Sequence, residues 1–193
     1  MAPKFIVIAG PNGAGKSITS QKILAPFKIE AFDWDKQFQS KWKSFDFDPT
    51  VVEGIRDSVN AEFQDHIRSA FSDNMSVAYE TNFHSSYNLE LANDARKKGY
   101  ETNLYFLALV NPEIGISRVA ERVRSGGHDV SEATIRERFR LGLEFLDTQA
   151  VEYYDKIFVY NSSVNFERLI VIENQRLLFK SDLFNNSIWS SAL

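Results

Sequence analysis

The chain predicts an α/β fold: a central, mostly parallel sheet of five or six strands with helices on both faces and a helical lid. Three observations carry this. An apolar, β-branched run, Phe5-Ile6-Val7-Ile8-Ala9, leads directly into Gly10-Pro11-Asn12-Gly13-Ala14-Gly15-Lys16-Ser17 and then a helical pattern. Strand and helix signals alternate along the rest of the chain, as parallel strands joined by crossover helices require. Two arginine-rich helical patterns flank Gly126-Gly127, the composition of a mobile cover.

Each element follows in order. Lys4 to Ala9 is the first strand, buried on both faces by its composition. Residues 10–17 fit G-x-x-x-x-G-K-[ST], the phosphate loop, in the strand–loop–helix context it needs. Gly10, Gly13 and Gly15 allow successive N–H groups to converge on an anion, and the helix from Ile18 to Phe27 points its positive end there. Lys16 supplies a mobile cation for the outer phosphates of a nucleoside triphosphate, and Ser17 a hydroxyl for Mg²⁺. A second strand is expected at Ile29 to Phe32, a third at Ser76 to Glu80, and a fourth at Glu101 to Val110. A fifth follows at Lys156 to Tyr160, with Phe166 to Glu173 at the edge. Helices are expected over 50–71, 88–98 with Gly99 as C-cap, 112–124 with Pro112 in its first turn, and 131–147 capped by Ser131. The whole is a three-layer P-loop NTPase sandwich with a lid over about 118–140.

Composition bounds the rest. At 193 residues the chain fits one domain, and 44% hydrophobic with 25% charged residues is ordinary for a soluble protein. Without cysteine there is no disulfide framework, thiolate metal site or thiol nucleophile. No run approaches transmembrane length and the first strand begins almost at once, so a cytoplasmic protein without a membrane partner is expected. A net charge of −4 weighs against a nucleic-acid partner. Residues 174–193 carry no readable chemistry; Phe179, Leu183, Phe184 and Trp189 suggest a packed tail or a contact surface.

In open sheets of this kind, ligands bind at the carboxyl ends of the strands. After the second strand, Asp33 and Asp35 offer a carboxylate across from the phosphate loop, to take a proton from a hydroxyl or to hold Mg²⁺ through water. In an extended segment only one of them faces the γ-phosphate, and either could instead be a cap or turn aspartate. The third strand ends Glu80-Thr81-Asn82-Phe83-His84. Glu80 needs a partner there: substrate hydroxyls, a metal-bound water, or a structural arginine. Between 117 and 140, Arg118, Arg122, Arg124, Arg136, Arg138 and Arg140 surround the glycine hinge with His128. Arg118 and Arg122, one turn apart, form the preferred pair for a transferring phosphoryl group; others face surface acids such as Glu121, Glu132 and Glu137.

With these residues in view, the chain resembles the zeta-toxin family of P-loop kinases. The matching segments are Ala9 to Ser17, Phe32 to Lys36, Glu80-Thr81-Asn82, Arg118 to Val123, Gly126-Gly127-His128-Asp129-Val130 and Ile135 to Phe139. The resemblance implies an ATP- and Mg²⁺-dependent kinase for a small-molecule hydroxyl, such as one on UDP-N-acetylglucosamine, silenced by a small helical antitoxin. By position it implies Asp35 as general base and Glu80 with Thr81 as substrate-binding residues. It implies Arg118 as a γ-phosphate sensor and Asn161 on the adenine side. The family's second lid arginine falls near His128, in a shorter lid, with Arg136 or Arg138 as its replacement. Two other classes remain open: a kinase for another metabolite, dinucleotide or polynucleotide end, and a nucleotide-binding partner protein with little catalysis.

Overall fold

The computed structural model describes residues 2–127 and 129–185. The strands are β1 (Lys4–Ala9), β2 (Ala31–Asp33), β3 (Val77–Thr81), β4 (Glu101–Ala108), β5 (Lys156–Asn161), β6 (Glu167–Glu173) and β7 (Arg176–Lys180). They form one sheet in the order β2-β3-β1-β4-β5-β6-β7. The pairs from β2 through β5 are parallel, and β6 and β7 join antiparallel. The helices are α1 (Lys16–Leu24), α2 (Trp34–Ser44), α3 (Val52–Asp73), α4 (Tyr87–Lys97), α5 (Pro112–Arg124), α6 (Glu132–Thr148) and the short α7 (Ala150–Tyr153). No helix among the described residues is long and apolar enough to cross a membrane.

β1 lies mid-sheet because both its faces are apolar: Phe5 and Val7 enter one core, Ile6 and Ile8 the other. On the first face, α3, α4, α6 and α7 cover Tyr79, Leu104 and Phe106. On the second, α1 contributes Leu24 against Ala78. α5 and α6 pack on Ala14 of the phosphate loop through Ile114 and Phe139, and that contact seats the lid helices over the site. Ser131 caps α6 as expected, accepting the Thr134 N–H, and α5 is capped by Asn111, whose side chain accepts the Ile114 N–H.

Two elements differ from expectation. The segment after β2 is not extended; it is α2, an otherwise polar helix whose Trp34, Phe38 and Trp42 recur every four residues and pack on Ile55 and Val59 of α3. Asp33 is its N-cap and accepts the Lys36 N–H at 3.0 Å. The sheet has a seventh strand rather than five or six in all, because part of the anticipated tail, Arg176–Lys180, folds back on β6. The turn is Asn174-Gln175, both with positive φ (49° and 63°), which suits the twist of a two-residue hairpin. Phe179 and Leu183 remain exposed, and Trp189 lies outside the described residues.

Candidate functional site

The phosphate loop is shaped by contacts only glycine permits. Gly10 has φ 147°, its N–H reaches the Thr81 carbonyl at 3.2 Å, and a Cβ there would sit 2.4 Å from the Leu107 carbonyl oxygen. Gly13 has φ 79°, and its Cβ would meet the Gly115 carbonyl of α5 at 2.7 Å. The Ala14 N–H bonds to the Pro11 carbonyl, closing the loop. Gly15, left-handed at φ 83°, is the N-cap of α1 and offers no side-chain acceptor. The first amides of α1 therefore stay available to an anion.

Lys16 folds back over this cradle. Its ammonium donates to the carbonyls of Gly10 (2.8 Å) and Pro11 (3.2 Å) and to Asn82 Oδ1 (3.0 Å). Burial lowers its pKa; the carboxylates of Asp35, Glu80 and Asp33 oppose the shift, and Arg138 adds to it. Asp35 acts on this charge more strongly than the other two acids. It lies exposed in the first turn of α2 and makes no hydrogen bond or ion pair with a described residue.

Ser17 lies between two carboxylates. Its Oγ is 2.9 Å from Asp33 Oδ2 and 2.9 Å from Glu80 Oε2, while Ser20 Oγ donates to Glu80 Oε1 at 2.7 Å. One hydroxyl has one proton and cannot donate to both acids. Burial, then the neighbouring Asp33 charge, pushes the Glu80 carboxyl above its ordinary range; bonds from Ser20 and Ser17 and the charge of Lys16 pull the other way. Two acids around one hydroxyl at the phosphate cradle are the donors a hard divalent cation takes, directly or through water. Among the described residues no group of three or more His, Asp or Glu side chains is placed to hold a metal ion.

At the end of β3, Thr81 is turned to structure: its Oγ1 accepts the Phe83 N–H at 3.1 Å. Asn82, buried and unassigned in the sequence reading, is the residue that reaches Lys16. Its place in the Glu80-Thr81-Asn82 step was the one available signal.

The arginines divide by position. Arg118 donates to the carbonyls of Gly13 (3.0 Å) and Ser163 (2.6 Å), tying α5 to the phosphate loop and to the loop after β5. Arg122 packs its stem where a Gly127 Cβ would be, 2.5 Å from Cγ. Arg136 pairs with Glu113 at 2.7 Å on the surface, which raises its pKa. Arg138 instead turns inward, donating to Asn12 Oδ1 at 3.2 Å and acting on Lys16. Of the two replacements the sequence offered, the structure brings Arg138 to the loop. Asn161 Oδ1 accepts the Ser163 N–H at 2.9 Å, shaping the loop beside Arg118. His128 lies outside the described residues.

The zeta toxin family model matches residues 1–176, nearly the whole of this scaffold. The chain belongs to the zeta toxin family. Among curated proteins none matches it. Solved structures of similar fold include the AvrRxo1-ORF1:-ORF2 complex, at TM-score 0.71 and 11% identity over 98% of this chain and 63% of that one. A structure of the PezAT chromosomal toxin–antitoxin system of Streptococcus pneumoniae has TM-score 0.63 and 14% identity, covering 98% of this chain and 75% of that one. Deoxyadenosine kinase from M. mycoides with bound dATP has TM-score 0.53 and 18% identity, covering 84% and 92%. These likenesses show the P-loop kinase fold. Family and fold together support a nucleotide-dependent phosphotransferase for this zeta toxin family member.

Proposed function

We propose that the chain transfers the γ-phosphoryl group of ATP to a hydroxyl of a small molecule, a UDP-activated amino sugar such as UDP-N-acetylglucosamine being the leading acceptor. The observation that carries the reading is the exposed Asp35 carboxylate at the start of α2, which no described residue pairs and whose charge acts on the Lys16 ammonium. A base held in an ion pair could not take a proton; Asp35 is not so held by any described residue.

The glycine-shaped loop, Lys16 and the open amides of α1 bind the phosphates, with Ser17, Asp33 and Glu80 around Mg²⁺. Bound ATP supplies the phosphoryl group, and the metal draws charge from its oxygens. Lys16 exchanges its carbonyl partners for phosphate oxygens while Asn82 keeps it aimed. Asp35 accepts the proton of the acceptor hydroxyl, and Glu80 and Thr81 border the acceptor side. Arg138 on α6, with Arg118 and Arg122 on α5, neutralises the charge that develops on the transferring group, an effect worth on the order of 10³ in rate for such arginines. In this reading Asn161 and Arg136 line the nucleotide side, and His128 joins Glu80 and Thr81 on the acceptor side. The protein acts in the cytoplasm, and a small helical antitoxin is its partner, by analogy with the toxin–antitoxin system among its structural relatives.

A screen with γ-labelled ATP over nucleotide sugars, dinucleotides and oligonucleotides tests this. Wild-type protein should label UDP-N-acetylglucosamine and K16A should label nothing. Tight ATP binding with no acceptor labelled would leave a nucleotide-binding partner protein.

A further inference from the structure

His84 has no role in the scheme above, yet its backbone is fixed from both sides. Phe83 before it has φ 58°, left-handed for a non-glycine residue, with its ring buried against Phe106, Phe145 and Tyr154. Such a conformation persists only where its surroundings over-determine it. After His84, the Ser85 carbonyl accepts both the backbone N–H and Nδ2 of Asn88 at the start of α4. The reversal at Phe83 buries Asn82 against Lys16 and leaves His84 exposed.

His84 stands two residues beyond Asn82, whose Oδ1 takes a hydrogen bond from Lys16 at 3.0 Å, so the chain reversal sets it at the mouth of the phosphate loop. Four charged groups act on the ring there, Lys16 of α1, Asp35 of α2, and Glu137 and Arg138 of α6, and it makes no hydrogen bond to a described residue. Desolvation, then Arg138, lowers its pKa, with Lys16 adding to this and Glu137 and Asp35 opposing it. Near neutral pH the imidazole is thus an uncharged group with one donor and one acceptor. Phosphate oxygens already have Lys16, Arg138 and the loop amides. A neutral ring between two cations suits a neutral ligand that both gives and takes a hydrogen bond, which a hydroxyl does. Asp35 is committed to the reacting hydroxyl, so the one left for His84 is its neighbour.

We propose that His84 is an acceptor-specificity residue, binding a second hydroxyl beside the one that receives the phosphoryl group. The proposal rests on the kinase reading and adds to it that the acceptor is recognised as a polyol.

The test starts from the acceptor that wild-type protein labels in a panel of UDP-N-acetylglucosamine, free pentoses and hexoses, dinucleotides and oligonucleotides. Its deoxy analogue, lacking the neighbouring hydroxyl, is then compared with it on wild type, H84A and H84Q. Wild type should lose about tenfold or more in kcat/KM on the analogue. H84A should lose a similar factor on the full acceptor, through acceptor KM rather than ATP KM, and little more on the analogue. As pH falls through the imidazole's titration, the wild-type acceptor KM should rise, because an imidazolium there is repelled by Arg138 and Lys16 and loses its acceptor nitrogen. H84Q, uncharged throughout, should lack that limb. An equal H84A penalty on acceptor and analogue, or none on either, would overturn the proposal and leave the kinase standing. No labelled acceptor at all would overturn both.

Discussion

Asp33, Asp35 and Glu80 all act on one lysine, yet each is held differently. Asp33 is fixed by the Lys36 N–H and Ser17; Glu80 is half-buried with two serines; Asp35 has no described partner. The sequence made all three visible as acids at strand ends. Spacing alone left Asp33 and Asp35 unranked, because that depends on helix α2 beginning directly after β2; only the family resemblance chose Asp35. Nor could spacing separate Arg138 from Arg136. Two residues apart on a helix, they point to different sides, and only packing against Asn12 tells which is inside. Glu80 gives a testable consequence. Its folded pKa is raised, so its charge costs stability at neutral pH, and that cost fades as pH falls toward the folded value. E80Q should therefore raise the nucleotide-free Tm at pH 7. The gain over wild type should shrink as pH falls toward the raised folded value, and a lowered Tm at pH 7 would contradict the assignment.

Among the elements, α5 stands closest to the phosphate loop, and glycine makes the approach possible. A Cβ at Gly115 would lie 2.6 Å from the Asn12 carbonyl oxygen, a backbone atom that cannot swing aside. G115A should cost about 1–3 kcal/mol in stability, as overpacking does. It should also weaken ATP binding, since the displaced loop is the anion cradle; thermal melts and nucleotide titration read the two effects. G54A on the exposed face of α3, where a Cβ meets nothing within 4 Å, should stabilise by up to about 1 kcal/mol. Equal effects of the two substitutions would sink the close-packing account. Neither distinction is legible in sequence, where both are glycines near the start of a helix. What was legible was local and periodic: β1, the phosphate loop, Pro112 in the first turn of α5 and the Ser131 cap of α6. α2 was missed because its apolar stripe is one residue wide and the rest of it reads as a polar loop. β7 was missed because all five of its residues are exposed, so its alternation carries no burial signal.

At the scale of the whole molecule, strand order does the assembling. Placing β1 between β3 and β4, with β2 beyond β3, brings the phosphate loop, Glu80 and the start of α2 together at the carboxyl ends of neighbouring parallel strands. The opposite end of the sheet carries a charge ladder across four strands, Lys4–Glu101–Lys156–Glu173. Burial would raise the Glu101 carboxyl, but bonds from Lys4 and Asn103 and the charges of Lys4 and Lys156 hold it below the usual range. The acids of that ladder are held in ion pairs, while Asp35, which acts on the Lys16 charge, is left unpaired by the described residues. That contrast is the basis for a kinase rather than a nucleotide binder. The most direct measurement is phosphoryl transfer by D35N on the labelled acceptor, alongside its ATP affinity and Tm. The account predicts a loss of about 10²-fold or more in kcat with ATP affinity and Tm close to wild type. Turnover near wild type would contradict it.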